Sequence, residues 1–332
     1  MKAFVVEAPF KASVQEVAEP ACGPDEIRIA VERVGICGTD HHIFKGEFLS
    51  PYPIIPGHEF SGTIDQIGEN VSSFTVGERV TADPTLVCGA CYYCQTQRFN
   101  HCEQWGAIGN TVNGAMAEKV VVPAKNVMKL PDQMSFGEGA FVEPVACVVH
   151  GMNQLNAKAG DRAILFGVGA MGQQLVQALV KVGVSELTVV DVEEDKLALA
   201  VEWGATRGVL STHLDEELAE ERLFDIVVDA TGIPAVVQKA FTFLGPAATY
   251  LQFGVTPQGS NVQLDPFTLY HKDLKLLGSM AINQTFIPAF HWVANQRVSV
   301  EHLIRRTVTL EDLAQYFQDG PTAKDMKTQL QI

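Results

Sequence analysis

Ala163-Ile-Leu-Phe166-Gly167-Val-Gly169-Ala-Met171-Gly172-Gln173-Gln-Leu-Val-Gln-Ala-Leu-Val-Lys-Val182 is the stretch on which the fold turns. Four apolar residues read as a buried strand, three glycines follow at 167, 169 and 172, and the spacing of apolar residues over 170–182 is helical. Glycines in this order between a strand and a helix imply a dinucleotide site. Gly167 permits the tight turn, Gly169 lets backbone approach a pyrophosphate, and Gly172 allows the helix to pack closely on the strand. Amides at the helix N-terminus then hold the phosphates. About twenty residues further on, the strand Leu187–Asp191 ends in an acid suited to the adenosine ribose hydroxyls. That acid would repel a 2′-phosphate, and the next basic residue is Lys196. The sequence predicts NAD over NADP, with Gly167, Gly169, Met171, Gly172, Asp191 and Lys196 as the cofactor-binding residues.

Working outward, apolar runs at Ala163–Phe166, Leu187–Asp191, Gly208–Leu210, Ile226–Asp229, Thr249–Phe253 and Leu274–Gly278 read as strands. Helical periodicity at 170–182, 193–202 and 234–243 falls between them. This alternation predicts an α/β, doubly wound parallel sheet. Residues 1–146 have a different texture. Short alternating segments such as Ile27-Arg-Ile-Ala-Val-Glu-Arg-Val34, bounded by Gly and Pro, read as a strand-rich domain. The tail has no strand-rich continuation of its own and is expected to fold back on that domain. The expected division is 1–146 with 285–332, and 147–284.

Composition excludes several classes. The 332 residues carry a formal net charge of -15, which opposes binding to nucleic acid. The most apolar stretch, 161–190, is interrupted by Gln173, Gln174, Gln177 and Lys181, so no membrane span is expected. The N-terminus lacks the apolar run of a signal peptide. Seven cysteines without an export signal suggest reduced thiols, metal binding and a cytoplasmic setting.

Four of those cysteines, Cys88, Cys91, Cys94 and Cys102, are spaced C-x2-C-x2-C-x7-C. Four thiolates can close a tetrahedron around Zn²⁺ with no open position, which is a structural site. A second, mixed set lies in Cys37-Gly-Thr39-Asp-His-His42 and Gly57-His58-Glu59, with Glu143-Pro144 further on. One thiolate, one imidazole and one carboxylate leave a zinc position open for water or substrate.

Together, Cys37-Gly-Thr-Asp-x-His42, Gly57-His58-Glu59, the four-cysteine lobe, Glu143-Pro144 and Gly167–Gly172 resemble the zinc-containing medium-chain alcohol and polyol dehydrogenases. The resemblance implies a Rossmann cofactor domain and a strand-rich, GroES-like catalytic domain carrying the zinc lobe. It implies two zinc ions per chain, one catalytic and one structural, and NAD as hydride acceptor. Cys37 and His58 would bind the catalytic zinc, with either Glu59 or Glu143 as third ligand. Thr39 would accept the substrate proton and pass it, through the ribose hydroxyls, to His42. His41 is expected to be a surface neighbour, and Cys22 and Cys147 buried spectators.

A glutamate at 143, where simpler alcohol dehydrogenases often carry cysteine, favours the polyol branch. The expected reaction is oxidation of a secondary hydroxyl of a sugar alcohol or similar polyol to the ketone. L-threonine 3-dehydrogenase, a simple secondary-alcohol dehydrogenase and a non-catalytic NAD-binding relic are the alternatives. Relatives acting on sorbitol or threonine commonly carry an arginine just past the sixth strand, whereas Gly278-Ser-Met-Ala-Ile-Asn283 has none. Asn283 and Gln284 are the neutral candidates for that place, and Phe44 is expected to make one pocket wall less polar. The family also implies a homodimer or homotetramer.

Overall fold

A computed structural model of the chain describes residues 1–48, 50–219, 223–322 and 325–332. The chain forms two compact units, one from 1–146, 282–295 and 299–332, the other from 147–281 and 296–298.

The second unit is built on six parallel strands in the order Arg207–Leu210, Glu186–Asp191, Arg162–Phe166, Phe224–Asp229, Leu244–Gln252, Lys275–Gly278. In chain order this is 3-2-1-4-5-6, a doubly wound sheet whose order reverses beside Arg162–Phe166. Ile164, Leu165, Phe166, Val189, Val227 and Val228 are all buried, as strands covered on both faces require. Helices Ala170–Val182, Glu194–Glu202 and Pro234–Ala240 follow the first, second and fourth of these strands in sequence. All six expected strands form. The fifth begins five residues earlier than its apolar run, at Leu244, because the chain passes through Gly245-Pro246 and a positive φ of 61° at Ala247 without leaving the sheet. A Gly-Pro pair reads as a turn; here it is absorbed by a register shift against Phe224–Asp229.

The first unit is β-rich. A seven-stranded sheet runs Ile304–Val308, Lys327–Gln331, Glu26–Gly35, Glu59–Ile67, Arg79–Ala82, Val127–Lys129, with Lys119–Pro123 also paired to Glu26–Gly35. The expectation that the tail brings no strands is corrected here: it supplies two. The Ile304–Val308 strand holds Arg305 and Arg306 among few apolar residues, so the alternation that marks a half-buried strand is weak. Ile27, Ile29, Val31 and Val34 alternate inward along Glu26–Gly35 and pack with Phe4, Phe44, Ile64 and Phe317 in one core. Phe4 stacks on Phe317 with ring centroids 5.2 Å apart.

Candidate active site

Cys37 follows the end of the Glu26–Gly35 strand and caps the helix Gly38–Lys45. The cap is tied from within the motif, since Asp40 Oδ2 accepts the Cys37 N–H at 2.8 Å. The other oxygen, Asp40 Oδ1, accepts the Gly57 N–H at 3.2 Å and lies 3.6 Å from His58 Nδ1. Gly57 adopts φ +98°, a conformation that L side chains rarely take, and this turn presents His58. Asp40 is fully buried. Burial pushes its pKa up, but the His58 ring and the Cys37 amide outweigh it and hold the carboxyl below its ordinary range. The Asp40 carboxylate faces His58 Nδ1 from beyond hydrogen-bond reach, so it acts on the ring by charge and leaves the other nitrogen for a metal.

Glu59 opens the strand Glu59–Ile67 and pairs in register with Gly35. That glycine is needed for space, since a Cβ there would lie 2.0 Å from Glu59 Oε2. Donor atoms of Cys37, His58 and Glu59 all lie within 4.8 Å of one another, with His58 and Glu59 buried and Cys37 half-buried. A sulfur, an imidazole nitrogen and a carboxylate oxygen so gathered fit a zinc ion with one position open. Glu143, in the first turn of helix Val142–Leu155, is outside this trio but feels the charges of His58 and Glu59. Burial pushes its pKa up to about 7, with His58 pulling it down and Glu59 pushing it further up.

Thr39 and His42 sit three residues apart on one helix face. Thr39 Oγ1 is 3.7 Å from Cys37 Sγ, and His42 Nδ1 is 2.7 Å from Glu47 Oε2 on the exposed side. His41 departs from expectation. It is buried against Tyr316 and Phe317, because its side of the helix faces the sheet core. Phe44 packs on Phe10 and Phe317 in the core. Cys22 and Cys147 are half-buried, not buried.

Cys88, Cys91, Cys94 and Cys102 converge within 4.8 Å. Their sulfurs stand 3.5 Å (88 to 102), 3.9 Å (91 to 102) and 4.0 Å (88 to 94) apart. A tetrahedron with Zn–S bonds of about 2.3 Å has edges of about 3.8 Å, so the spacing fits zinc. Backbone N–H groups of Cys88, Ala90, Cys91 and Gln104 point at the sulfurs from 3.3 to 3.4 Å and offset the negative charge. Amides of Glu103 and Cys94 pull the Cys91 thiol down to about 6, while burial and then the neighbouring sulfurs push Cys94 up to about 12. Four sulfurs this close cannot all be thiolates without a cation. Asn283 Oδ1 accepts the Phe99 N–H at 3.1 Å beside this lobe.

In the second unit, Gly167 takes φ +88° directly after its strand. A Cβ on Gly172 would sit 2.1 Å from Gly167 O, whereas one on Gly169 would meet nothing within 4 Å. The turn is closed where helix meets strand and open where a pyrophosphate would lie. Asp191 Oδ2 accepts the Val168 N–H at 2.8 Å, and Oδ1 accepts those of Val192 and Glu193 at 2.7 and 3.1 Å. Met171 and the Lys196 side chain are half-exposed.

Four contributing residues lie outside the sequence reading. Asp40 is one, although an acid three residues after a helix cap is a recognisable capping signal. Lys327 is another: it is buried with Nζ 2.5 Å from the Glu59 carboxylate, and no motif surrounds it. Asp229 ends the fourth parallel strand fully buried, accepting from Thr231 Oγ1 at 2.6 Å and from the Gly232 N–H at 2.9 Å. A Cβ on Gly167 would lie 2.8 Å from Thr231 Cγ2, so this loop borders the glycine turn at the switch point. Gln173 is the fourth; the sequence shows it only as an interruption in an apolar run.

The model of the alcohol dehydrogenase GroES-like domain matches residues 23–132, and that of the zinc-binding dehydrogenases matches 170–295. D-arabinitol dehydrogenase 1 of Uromyces fabae is 29% identical, covering 94% of this chain and 91% of its own. A solved chain from Sinorhizobium meliloti, bound to NADP, is 32% identical with TM-score 0.96, covering 100% of this chain and 99% of its own. Galactitol-1-phosphate dehydrogenase from Escherichia coli is 30% identical with TM-score 0.89, covering 100% of both chains. What the two sheets and their side chains define is an oxidoreductase scaffold for zinc and a nicotinamide dinucleotide. The chain belongs to the zinc-binding alcohol dehydrogenase family and is an enzyme.

Proposed function

We propose that this enzyme oxidises a secondary hydroxyl of a sugar alcohol or similar polyol to the ketone, with NAD as hydride acceptor. The observation that carries the proposal is the gathering of Cys37, His58 and Glu59 donor atoms within 4.8 Å, three ligands that would leave a zinc position open. The polyol dehydrogenases among its relatives support the substrate class.

Cys37, His58 and Glu59 would hold the catalytic zinc, with Glu143 a second acid nearby, and Cys88, Cys91, Cys94 and Cys102 the structural one. Bound zinc supplies a Lewis acid for the substrate oxygen, and bound NAD supplies the hydride acceptor. The chain's own residues do the rest. Asp40 ties together the Cys37 cap and the Gly57 turn that presents His58. Thr39 Oγ1, beside the Cys37 sulfur, would accept the proton leaving the substrate hydroxyl and hand its own hydroxyl proton on toward His42. His42, 48% exposed, releases a proton to solvent.

Asp191, with Gly167, Gly169, Met171, Gly172 and Lys196 around it, supports NAD over NADP, since a carboxylate there opposes a 2′-phosphate. The Sinorhizobium meliloti chain holds NADP, so kcat/KM for the two cofactors decides this point. A higher value with NADP would overturn the preference. The strand Lys275–Gly278 ends its sheet with Leu276 39% exposed, and Tyr270 nearby is 82% exposed. That edge supports a homodimer or homotetramer, to be read by sedimentation. No helix among the described residues is long and apolar enough to cross a membrane. Unbridged cysteines support a reducing, cytoplasmic setting.

The test of substrate is NAD reduction across C4–C6 polyols, L-threonine and short secondary alcohols. Highest kcat/KM on a polyol is expected. Threonine or a simple alcohol in first place would replace the substrate assignment.

A further inference from the structure

Gln173 lies in the first turn of helix Ala170–Val182 with no exposed surface. A buried primary amide is costly unless its groups are partnered; Oε1 of Gln173 has no hydrogen-bond partner among the described residues, so the cost is offset only if both N–H donors are used. Both are. Nε2 donates to Val168 O at 3.0 Å and to Lys196 O at 2.8 Å. The first carbonyl belongs to the glycine turn. The second belongs to the first turn of helix Glu194–Glu202, just beyond the acid at the end of its strand.

The other side of Val168 is held as well, because its N–H donates to Asp191 Oδ2 at 2.8 Å. Asp191 Oδ1 in turn takes the amides of Val192 and Glu193. Two side chains therefore bridge the 167–169 turn and the 191–196 segment, one through the Val168 N–H and one through its carbonyl. The flanking glycines have no Cβ to restrict their rotation, and Gly167 already sits at φ +88°. The flanks are tied by backbone, Gly167 N–H to Val190 O at 2.8 Å and Gly169 O to the Gln173 N–H at 2.9 Å, and the Gln173 side chain adds the tie at the Val168 carbonyl itself.

The neighbouring residue makes the contrast. Gln174 is equally buried, yet its Nε2 donates to Ala170 O at 2.9 Å within its own helix. Of two adjacent buried glutamines, one is local and one is a brace.

We propose that Gln173 is a positioning residue that fixes the spacing between the glycine turn and the 191–196 segment, and thereby sets affinity for the adenosine half of the dinucleotide. A turn already held in its binding shape loses little freedom when the ligand arrives. The inference rests on reading this turn as the NAD site.

The experiment is calorimetric titration of the full zinc-loaded enzyme with NAD and with ADP-ribose, which carries the adenosine and pyrophosphate but no nicotinamide. Wild type binds both; binding of neither would remove the cofactor reading and the inference with it. Gln173→Met keeps the side chain's length and loses both donors. It should raise both Kd values tenfold or more, leave kcat at saturating NAD within about twofold, and speed hydrogen exchange at the Val168 amide. Gln174→Met should keep both Kd values within about twofold. Unchanged Kd in Gln173→Met, or an equal loss in Gln174→Met, overturns the proposal. Should Gln173→Met not fold, Gln173→Asn is one methylene shorter and can reach at most one carbonyl. It should weaken ADP-ribose severalfold, and wild-type affinity in the folded Asn variant overturns the proposal equally.

Discussion

Lys327 Nζ lies 2.5 Å from the Glu59 carboxylate, an ion pair closed between residues 268 apart in sequence, with side chains only 7% and 2% exposed. Burial alone would lower the Lys327 pKa. Glu59, and after it the Cys37 sulfur, outweigh burial and hold it above the ordinary lysine value. Nζ is also 5.9 Å from the Phe141 ring centroid. Lys327→Met strands a buried carboxylate and should cost about 3–5 kcal/mol, read from the denaturant midpoint of the metal-stripped protein. Added zinc should recover part of that loss by supplying the missing positive charge. A cost below about 1 kcal/mol would show that the pair contributes no net support.

Asp40→Asn removes the charge that faces His58 without touching a proposed ligand. Zinc affinity at the catalytic trio should fall about 10–100-fold, measured by competition with a chromogenic chelator. Cys37→Ser and His58→Ala should go further, losing one of two zinc ions and lowering kcat/KM by about a thousandfold or more. NAD binding should stay near wild type in all three. Full activity in a Cys37→Ser protein with one zinc would remove metal from the reaction.

The four-cysteine lobe makes the opposite prediction. Cys102→Ser opens a ligand set whose sulfurs already approach to 3.5 Å, so the lobe should lose its ion and the melting temperature should fall. In protein kept below that temperature, kcat should remain within about threefold. A large fall in kcat with an unchanged melting temperature would put this lobe in the chemistry.

Asp65 gives a pH test away from both metals. Arg28 reaches it through Nε and Nη2 at 2.9 and 3.0 Å, and Lys119 Nζ stands 3.1 Å away. Burial pushes the Asp65 pKa up, but Arg28 and then Lys119 outweigh it and hold it below the ordinary value. A depressed folded-state pKa stabilises above the unfolded value, about 3.9, and that contribution is lost as pH falls through the lower folded value. Asp65→Asn should therefore be less stable than wild type at pH 6, with the gap closing below about pH 4. Melting curves over pH 3–6 would show this; a gap constant across the range would rule the linkage out.

The cofactor half was legible because its signals are local. Each parallel strand is a short apolar run, and Gly167, Gly169 and Gly172 fall where strand becomes helix. The trio was legible as residue types but not as a geometry. Nothing in Glu59 or Glu143 taken singly says which one meets Cys37 and His58; strand pairing of Glu59 with Gly35 does. Lys327 was invisible for the same reason, since its meaning comes from a partner far upstream. His41 was misread because a short motif rich in polar residues hides which side of its helix faces the core. Gln173 and Asp229 spend their hydrogen bonds on backbone groups, and backbone leaves no mark in composition.

The strand Lys327–Gln331 pairs with Glu26–Gly35 along one edge and with Ile304–Val308 along the other. During synthesis, then, the stretch bearing Cys37, His58 and Glu59 emerges long before the segment that neutralises it and closes its sheet. A fragment halted short of residue 327 would hold Cys37, His58 and Glu59 beside an open strand edge and an unanswered buried acid. Pairing of this sheet must wait for the 327–331 segment, whereas the segment 147–281 needs nothing from that strand to pair its own six strands.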